Sequence, residues 1–299
     1  MRLPAVLLFA TACLGQAPPP ESPVVAGIRQ AQIRLAADVY VYAKNLDTGA
    51  IIAWRQDEGV RTASTIKLPI LAALYDKVAK GEVRWDETLL LTKAGKISGS
   101  GVLNELSDGV RLPIRDVSNL MIVVSDNTAT NLILDRITAD AVNAYLDTIG
   151  LTRTRSLRKV RGDGTDLKQA SGWSKAGLVK ENERFGLGVS TSREMVQLVE
   201  MLALGKIVSP DASKGILATL DRQRYKDGIG RRLGDLPVAS KSGGLDALRS
   251  DVALVTTPKG RIAMAITVDG LKKIDYSADN AGQILIADLA RQIVDELVR

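Results

Sequence analysis

Ser64-Thr65-Ile66-Lys67 sets a hydroxyl and an amine three residues apart. On a helix, residues i and i+3 share a face, so the Lys67 amine falls beside the Ser64 hydroxyl and can act as its base. Burial and neighbouring positive charge depress an amine's pKa, which makes a neutral lysine available near neutral pH. A helix start adds a positive field and free N–H groups at the point of attack. The chain has no histidine, which excludes a Ser-His-Asp triad and any His-ligated metal. Two further clusters follow along the chain. In Ser125-Asp126-Asn127, the serine hydroxyl can pass a proton between Lys67 and a leaving nitrogen. The Asn127 amide can orient Lys67 and bond a substrate amide, while Asp126 is expected to brace the turn. In Lys241-Ser242-Gly243, the amine and hydroxyl suit a substrate carboxylate, and Gly243 lets a substrate backbone approach closely. The Gly244 N–H can join that of Ser64 as an oxyanion hole, and Arg249 stands close enough in sequence to reinforce the carboxylate site. Each motif is cheap alone: Ser156-Leu157-Arg158-Lys159 repeats the first pattern, and Lys93-Ala94-Gly95 and Lys175-Ala176-Gly177 repeat Lys-x-Gly.

The surrounding pattern says what positions these groups. Ile28 to Ala37 reads as an amphipathic helix. Val39–Ala43 and Ile51–Trp54 read as a hairpin around the turn chemistry of Asn45 to Gly49. Ser64 opens a helix whose apolar residues Leu68, Ile70, Leu71, Leu74 and Val78 have helical spacing, with Pro69 in its first turn and Gly81 at its end. Helices are predicted over 113–124, 128–137, 139–149, 193–204 and 211–222. Residues 151–188 form a long irregular stretch, of the kind that in a compact domain is usually functional or disordered. Strands return at 238–242, 251–256 and 261–268, and a closing helix at about 280–298. Strands at both ends with helices between imply an α+β protein: one antiparallel sheet of about five strands with an inserted all-helical region.

Composition narrows the function classes. The chain has 299 residues and a formal charge of +6, with one cysteine. Basic residues are scattered among acids, with a modest cluster from Arg153 to Arg161, so a solvated basic surface is expected and no nucleic-acid partner. Residues 1–12 read as a signal segment. Cys13 directly after Ala10-Thr11-Ala12 is either a lipidated first residue, attaching the chain to a membrane, or follows a plain secretory signal. Both readings imply export, to the periplasm or beyond, and an internal disulfide is ruled out. Residues 13–26 read as a Pro-rich tether. The domain then spans 27–299, with an α/β part at 27–68 and 223–299 and a helical part at 69–222.

The three motifs, in their order and separations, resemble the active-site set of class A β-lactamases and penicillin-binding proteins. Ser64 to Leu71 resembles that family's nucleophile helix. Leu120 to Leu134 resembles its middle segment, and Lys241 to Val255 its third strand, turn and fourth strand. The resemblance implies a β-lactamase/transpeptidase-like fold and a monomer without metal or organic cofactor. It implies a serine hydrolase acting on a β-lactam or cell-wall peptide through an acyl-enzyme on Ser64. In class A enzymes a Glu-x-x-Leu-Asn segment in the Ω-shaped loop supplies the glutamate that activates the deacylating water. No such segment occurs between Leu157 and Gly188; Glu181 and Glu183 are the only glutamates there, read as exposed acids beside Lys180 and Arg184. A penicillin-binding D-alanyl-D-alanine peptidase or esterase with slow deacylation, and a non-catalytic β-lactam or muropeptide sensor, are the alternative expectations.

Overall fold

The computed structural model describes residues 22–161 and 173–299; the signal segment, Cys13 and most of the tether lie outside them. The first helix, α1 (Pro23–Leu35), starts five residues earlier than the periodicity predicts. Ser22 accepts a hydrogen bond from the Val25 N–H, and Pro23 occupies the first turn, where its missing N–H costs nothing. Residues 23–26, expected at the end of the Pro-rich stretch, form the first turn of this helix. Strands β1 (Asp38–Asn45) and β2 (Ile51–Trp54) form the predicted hairpin, and β3 (Val60–Arg61) follows.

Helix α2 (Lys67–Ala79) is preceded by a tight 3₁₀ turn, Ala63–Ile66, that holds Ser64. Next come the short strands β4 (Thr88–Leu90) and β5 (Arg111–Pro113), then helices α3 (Ile114–Val123), α4 (Asn127–Ile137) and α5 (Ala139–Thr148). Strands β6 (Arg155–Ser156) and β7 (Gly188–Ser190) flank the irregular loop. Helices α6 (Ser192–Ala203) and α7 (Pro210–Asp221) complete the helical region. Strands β8 (Val238–Leu245), β9 (Leu248–Thr257) and β10 (Gly260–Asp269) return the chain to the sheet, and α8 (Ala281–Leu297) closes it. No described helix is long and apolar enough to cross a membrane.

The main sheet is antiparallel with order β2-β1-β10-β9-β8. Alternation along its strands divides the core in two, because successive side chains point to opposite faces. Val252 and Leu254 of β9 and Ala263 and Ala265 of β10 face the helical region. Ala253, Val255, Ile262, Met264 and Ile266 face α1 and α8. Burying both faces holds the middle strands rigidly and leaves β8 as an edge. Its length from Val238 to Leu245 carries Lys241, Ser242 and Gly243 past the turn that holds Ser64.

Candidate active site

Three segments converge at Ser64. The nucleophile turn is tied down on both sides: Thr62 N donates to the Gly188 carbonyl of β7 at 3.0 Å, and Thr65 returns its N–H and hydroxyl to the Thr62 carbonyl at 3.1 and 2.8 Å. Ala63 is held at φ 46°, a left-handed conformation that costs a non-glycine residue about 1 kcal/mol or more. Ser64 itself lines two cavities that meet at it.

Lys67 begins α2, and its side chain is fully buried. Its amine donates to the Ser125 carbonyl (2.7 Å), the Ser125 hydroxyl (3.3 Å) and Asn127 Oδ1 (3.0 Å). The sequence places it beside Ser64; in the structure its hydrogen bonds run to the Ser125 turn, and the Ser64 hydroxyl makes none among the described residues. Burial first, then the nearby Lys241 charge, hold the Lys67 amine well below the usual lysine range, with Asp126 partly opposing.

Ser125 adopts φ 53° at the corner between α3 and α4, and its hydroxyl lies between two amines. Lys241 Nζ reaches the same Oγ at 3.0 Å and the Ser242 carbonyl at 2.7 Å. Burial pushes Lys241 down to about 7, opposed by the Asp251 carboxylate. The result is a continuous relay, Lys67–Ser125–Lys241, between α2, the α3–α4 corner and β8.

Asp126 braces this corner as expected. Its carboxylate accepts the N–H groups of Ala129 (2.8 Å), Val102 (2.7 Å) and Leu103 (2.8 Å), capping α4 and pinning a loop. That loop, Ser98-Gly99-Ser100-Gly101, escaped the sequence reading. Asn127 donates its N–H to the Ser100 carbonyl at 2.9 Å and its side-chain amide to the Ser98 carbonyl at 3.0 Å. A Cβ on Gly101 would lie 2.3 Å from the Asp126 carboxylate, so only glycine fits there. Two glycines framing a serine near a second motif was the available signal.

On β8, Ser242 lines the smaller cavity. A Cβ on Gly243 would meet the Thr62 carbonyl at 2.9 Å and the Ser64 N at 3.0 Å, so glycine permits the strand to pack on the nucleophile turn. Gly244, opposite Arg249 in the β8–β9 register, is exposed at the groove. Arg249 also lines the smaller cavity, but most of its donors are engaged. Nη1 bonds the Leu245 and Leu248 carbonyls and Nη2 the Asp275 carbonyl, while Tyr276 stacks on its guanidinium, 5.0 Å away. It therefore braces the β8–β9 turn and the loop before α8.

Glu181 and Glu183 lie on an exposed 3₁₀ turn, Lys180–Phe185. Glu183 borders the larger cavity and Glu181 does not. The structure thus gathers Ser64, Lys67, Ser125, Asn127, Lys241, Ser242 and Gly243 at one groove, with Glu183 on the rim of its larger cavity and Glu181 outside it.

A five-stranded antiparallel sheet with an inserted helical region, carrying Ser-x-x-Lys, Ser-Asp-Asn and Lys-Ser-Gly around one groove, defines the β-lactamase/transpeptidase-like class. The sequence matches the profile of the β-lactamase enzyme family over residues 27–297, and the chain belongs to that family. It is 26% identical over 288 residues to a β-lactamase of Amycolatopsis lactamdurans, covering 94% of this chain and 87% of that protein. It is 25% identical over 270 residues to β-lactamase FAR-1 of Nocardia farcinica, covering 88% and 80%. Among solved structures it resembles a β-lactamase from Sphaerobacter thermophilus, with TM-score 0.80, 28% identity, and coverage of 92% of this chain and 97% of that one. It also resembles PBP-A, with TM-score 0.76, 26% identity, and coverage of 93% and 98%. A variant of PBP-A has been solved as its acyl-enzyme with penicillin G.

Proposed function

We propose that this protein is a serine hydrolase of the class A β-lactamase type, acylated on Ser64 by β-lactams. The observation that carries the reading is the buried relay. Among the described residues Lys67 hydrogen-bonds no carboxylate, its pKa is held well down, and it is joined through the Ser125 hydroxyl to Lys241. In the acylation step neutral Lys67 takes the Ser64 proton while Ser64 Oγ bonds the lactam carbonyl carbon. The C–N bond breaks, and the proton passes from Lys67 through the Ser125 hydroxyl to the departing nitrogen. Lys241 and Ser242 hold the substrate carboxylate, and the Ser64 and Gly244 N–H groups stabilise the oxyanion.

Hydrolysis requires a second half-reaction. The exposure of Glu181 and Glu183 favours a slow one, which would make the protein behave as a penicillin-binding protein or a D-alanyl-D-alanine peptidase. A chromogenic cephalosporin distinguishes the two. A burst of one equivalent followed by a slow steady state indicates rate-limiting deacylation; steady turnover without a burst indicates an efficient β-lactamase. No colour change at all would refute acylation. The leader and Cys13 are proposed to export the chain, with or without a lipid anchor; a mass shift corresponding to acylation of Cys13 in membrane fractions tests the anchored form.

A further inference from the structure

Ser64 stands where two cavities join. The smaller, about 170 Å³, runs past Ser125, Ser242 and Arg249 and receives the carboxylate assigned above to Lys241 and Ser242. The larger, about 790 Å³, runs the other way, along the loop that precedes β7. A substrate attacked by Ser64 and anchored in the first must extend its acyl substituent into the second.

The second cavity is markedly cationic. Among the described residues four arginines line it, and Glu183 is the single carboxylate. Arg61 is already held by both oxygens of Asp269. Arg158, Arg161 and Arg184 form no ion pair with any carboxylate of the described residues. Arg158 donates to the Lys159 carbonyl at 3.0 Å. The guanidiniums of Arg158 and Arg161 lie 5.7 and 5.3 Å from the same indole ring, Trp173, and Arg161 Nε is buried without a partner. Gly186 keeps the wall thin: a Cβ there would sit 3.3 Å from Arg158 Nη2. Burial, and then the Arg161 charge, push the Arg158 guanidinium down to about 10, so the two cations are held together against their repulsion. A carboxylate bridging them would relieve that repulsion and satisfy the buried donor, and a guanidinium fork matches carboxylate geometry.

We propose that Arg158 and Arg161, stacked on Trp173, form a second anion subsite, and that the enzyme selects substrates whose acyl substituent carries its own carboxylate. The proposal rests on the acyl-enzyme reading for the direction in which the substrate lies. The ligand class is a dianionic amide: an acidic acylamino β-lactam, or a cell-wall peptide with a side-chain carboxylate.

The test compares two penicillanic acids that differ only at the end of the acyl chain, one adipoyl and one hexanoyl. Affinity for the Ser64→Ala protein is measured by calorimetry, and acylation of the wild type by mass spectrometry. The adipoyl compound is expected to bind about tenfold tighter, as one charge-assisted contact provides, and the preference should shrink at high salt. It should vanish in R158Q/R161Q and partly survive in R158K/R161K, which keeps the charge and controls for folding. Equal affinities in the parent protein, or a preference that survives both glutamines, overturn the subsite. If neither compound acylates Ser64, the β-lactam reading fails separately. Calorimetry with hexanoate against the neutral hexanamide, in the parent protein and in R158Q/R161Q, still decides whether the arginine pair selects a carboxylate.

Discussion

Gly243→Ala probes the contact between the β8 edge and the nucleophile turn. A methyl at this position would lie 2.9 Å from the Thr62 carbonyl, 3.0 Å from the Ser64 N and 3.1 Å from Ala63 Cβ, against 3.4 Å or more for ordinary contact. About 0.5 Å of movement is therefore required. The nucleophile turn resists it, because Thr62 is bonded to Gly188 on one side and to Thr65 on the other. The edge strand, free on that side, must give way, carrying Ser242 and Gly244 away from Ser64. A misplacement of 1 Å costs on the order of 10²-fold in rate, and losing one oxyanion donor costs roughly 10²- to 10³-fold. The expected loss in the acylation rate constant is about 10- to 100-fold, equivalent to about 1.4–2.7 kcal/mol of transition-state stabilisation. Stopped-flow acylation with a chromogenic cephalosporin measures it, with thermal unfolding as a control for the fold. Acylation within about threefold of wild type would show that β8 does not set the geometry at Ser64.

The pH profile of acylation should be bell-shaped. Lys67 must be neutral, so its lowered pKa gives an acidic limb on which the rate rises with pH; Lys241 must be charged to hold a carboxylate, so the rate falls as pH rises through about 7. Lys241→Arg, which stays charged, should move the alkaline limb out of range, and an unmoved limb would assign it to another group. Asp126→Ala should destabilise the fold by about 3 kcal/mol in chemical denaturation, since three N–H groups, two of them buried, lose a charged acceptor; a loss below about 1 kcal/mol would contradict the bracing role. Glu181→Gln and Glu183→Gln should leave the acyl-enzyme lifetime nearly unchanged, far from the ~10²-fold or larger effect of removing a general base. A large effect in either variant, read by the decay of the covalent adduct, would identify the water-activating group.

The main sheet and the long helices were legible from different signals: short apolar, β-rich runs on either side of a Thr257-to-Gly260 turn in β9 and β10, and helical spacing in α2. Order and separation made the three motifs readable where composition could not. What escaped has no period to read. Strands β3, β6 and β7 are two or three residues long, and their pairing is set by tertiary contacts. The start of α1 was missed because Ser22-Pro23 carries both a cap and a helix-opening proline but sits at the end of a proline-rich stretch. Arg249 reads as a carboxylate ligand because a strand-end arginine near Lys-Ser-Gly fits that role, and it does line the cavity with Ser242. Only the three carbonyls around it reveal a brace. The arginine pair on Trp173 was invisible because its members are twelve or more positions from the indole in sequence.

The proposed mechanism turns on a covalent acyl-enzyme at Ser64. Intact-protein mass spectrometry over time after adding benzylpenicillin tests it most directly. One adduct with the mass of the whole penicillin is expected, located on the peptide containing Ser64, lost in Ser64→Ala, and persisting for minutes or longer with slow deacylation. An adduct that survives in Ser64→Ala, or none in the wild type under the same conditions, would contradict it.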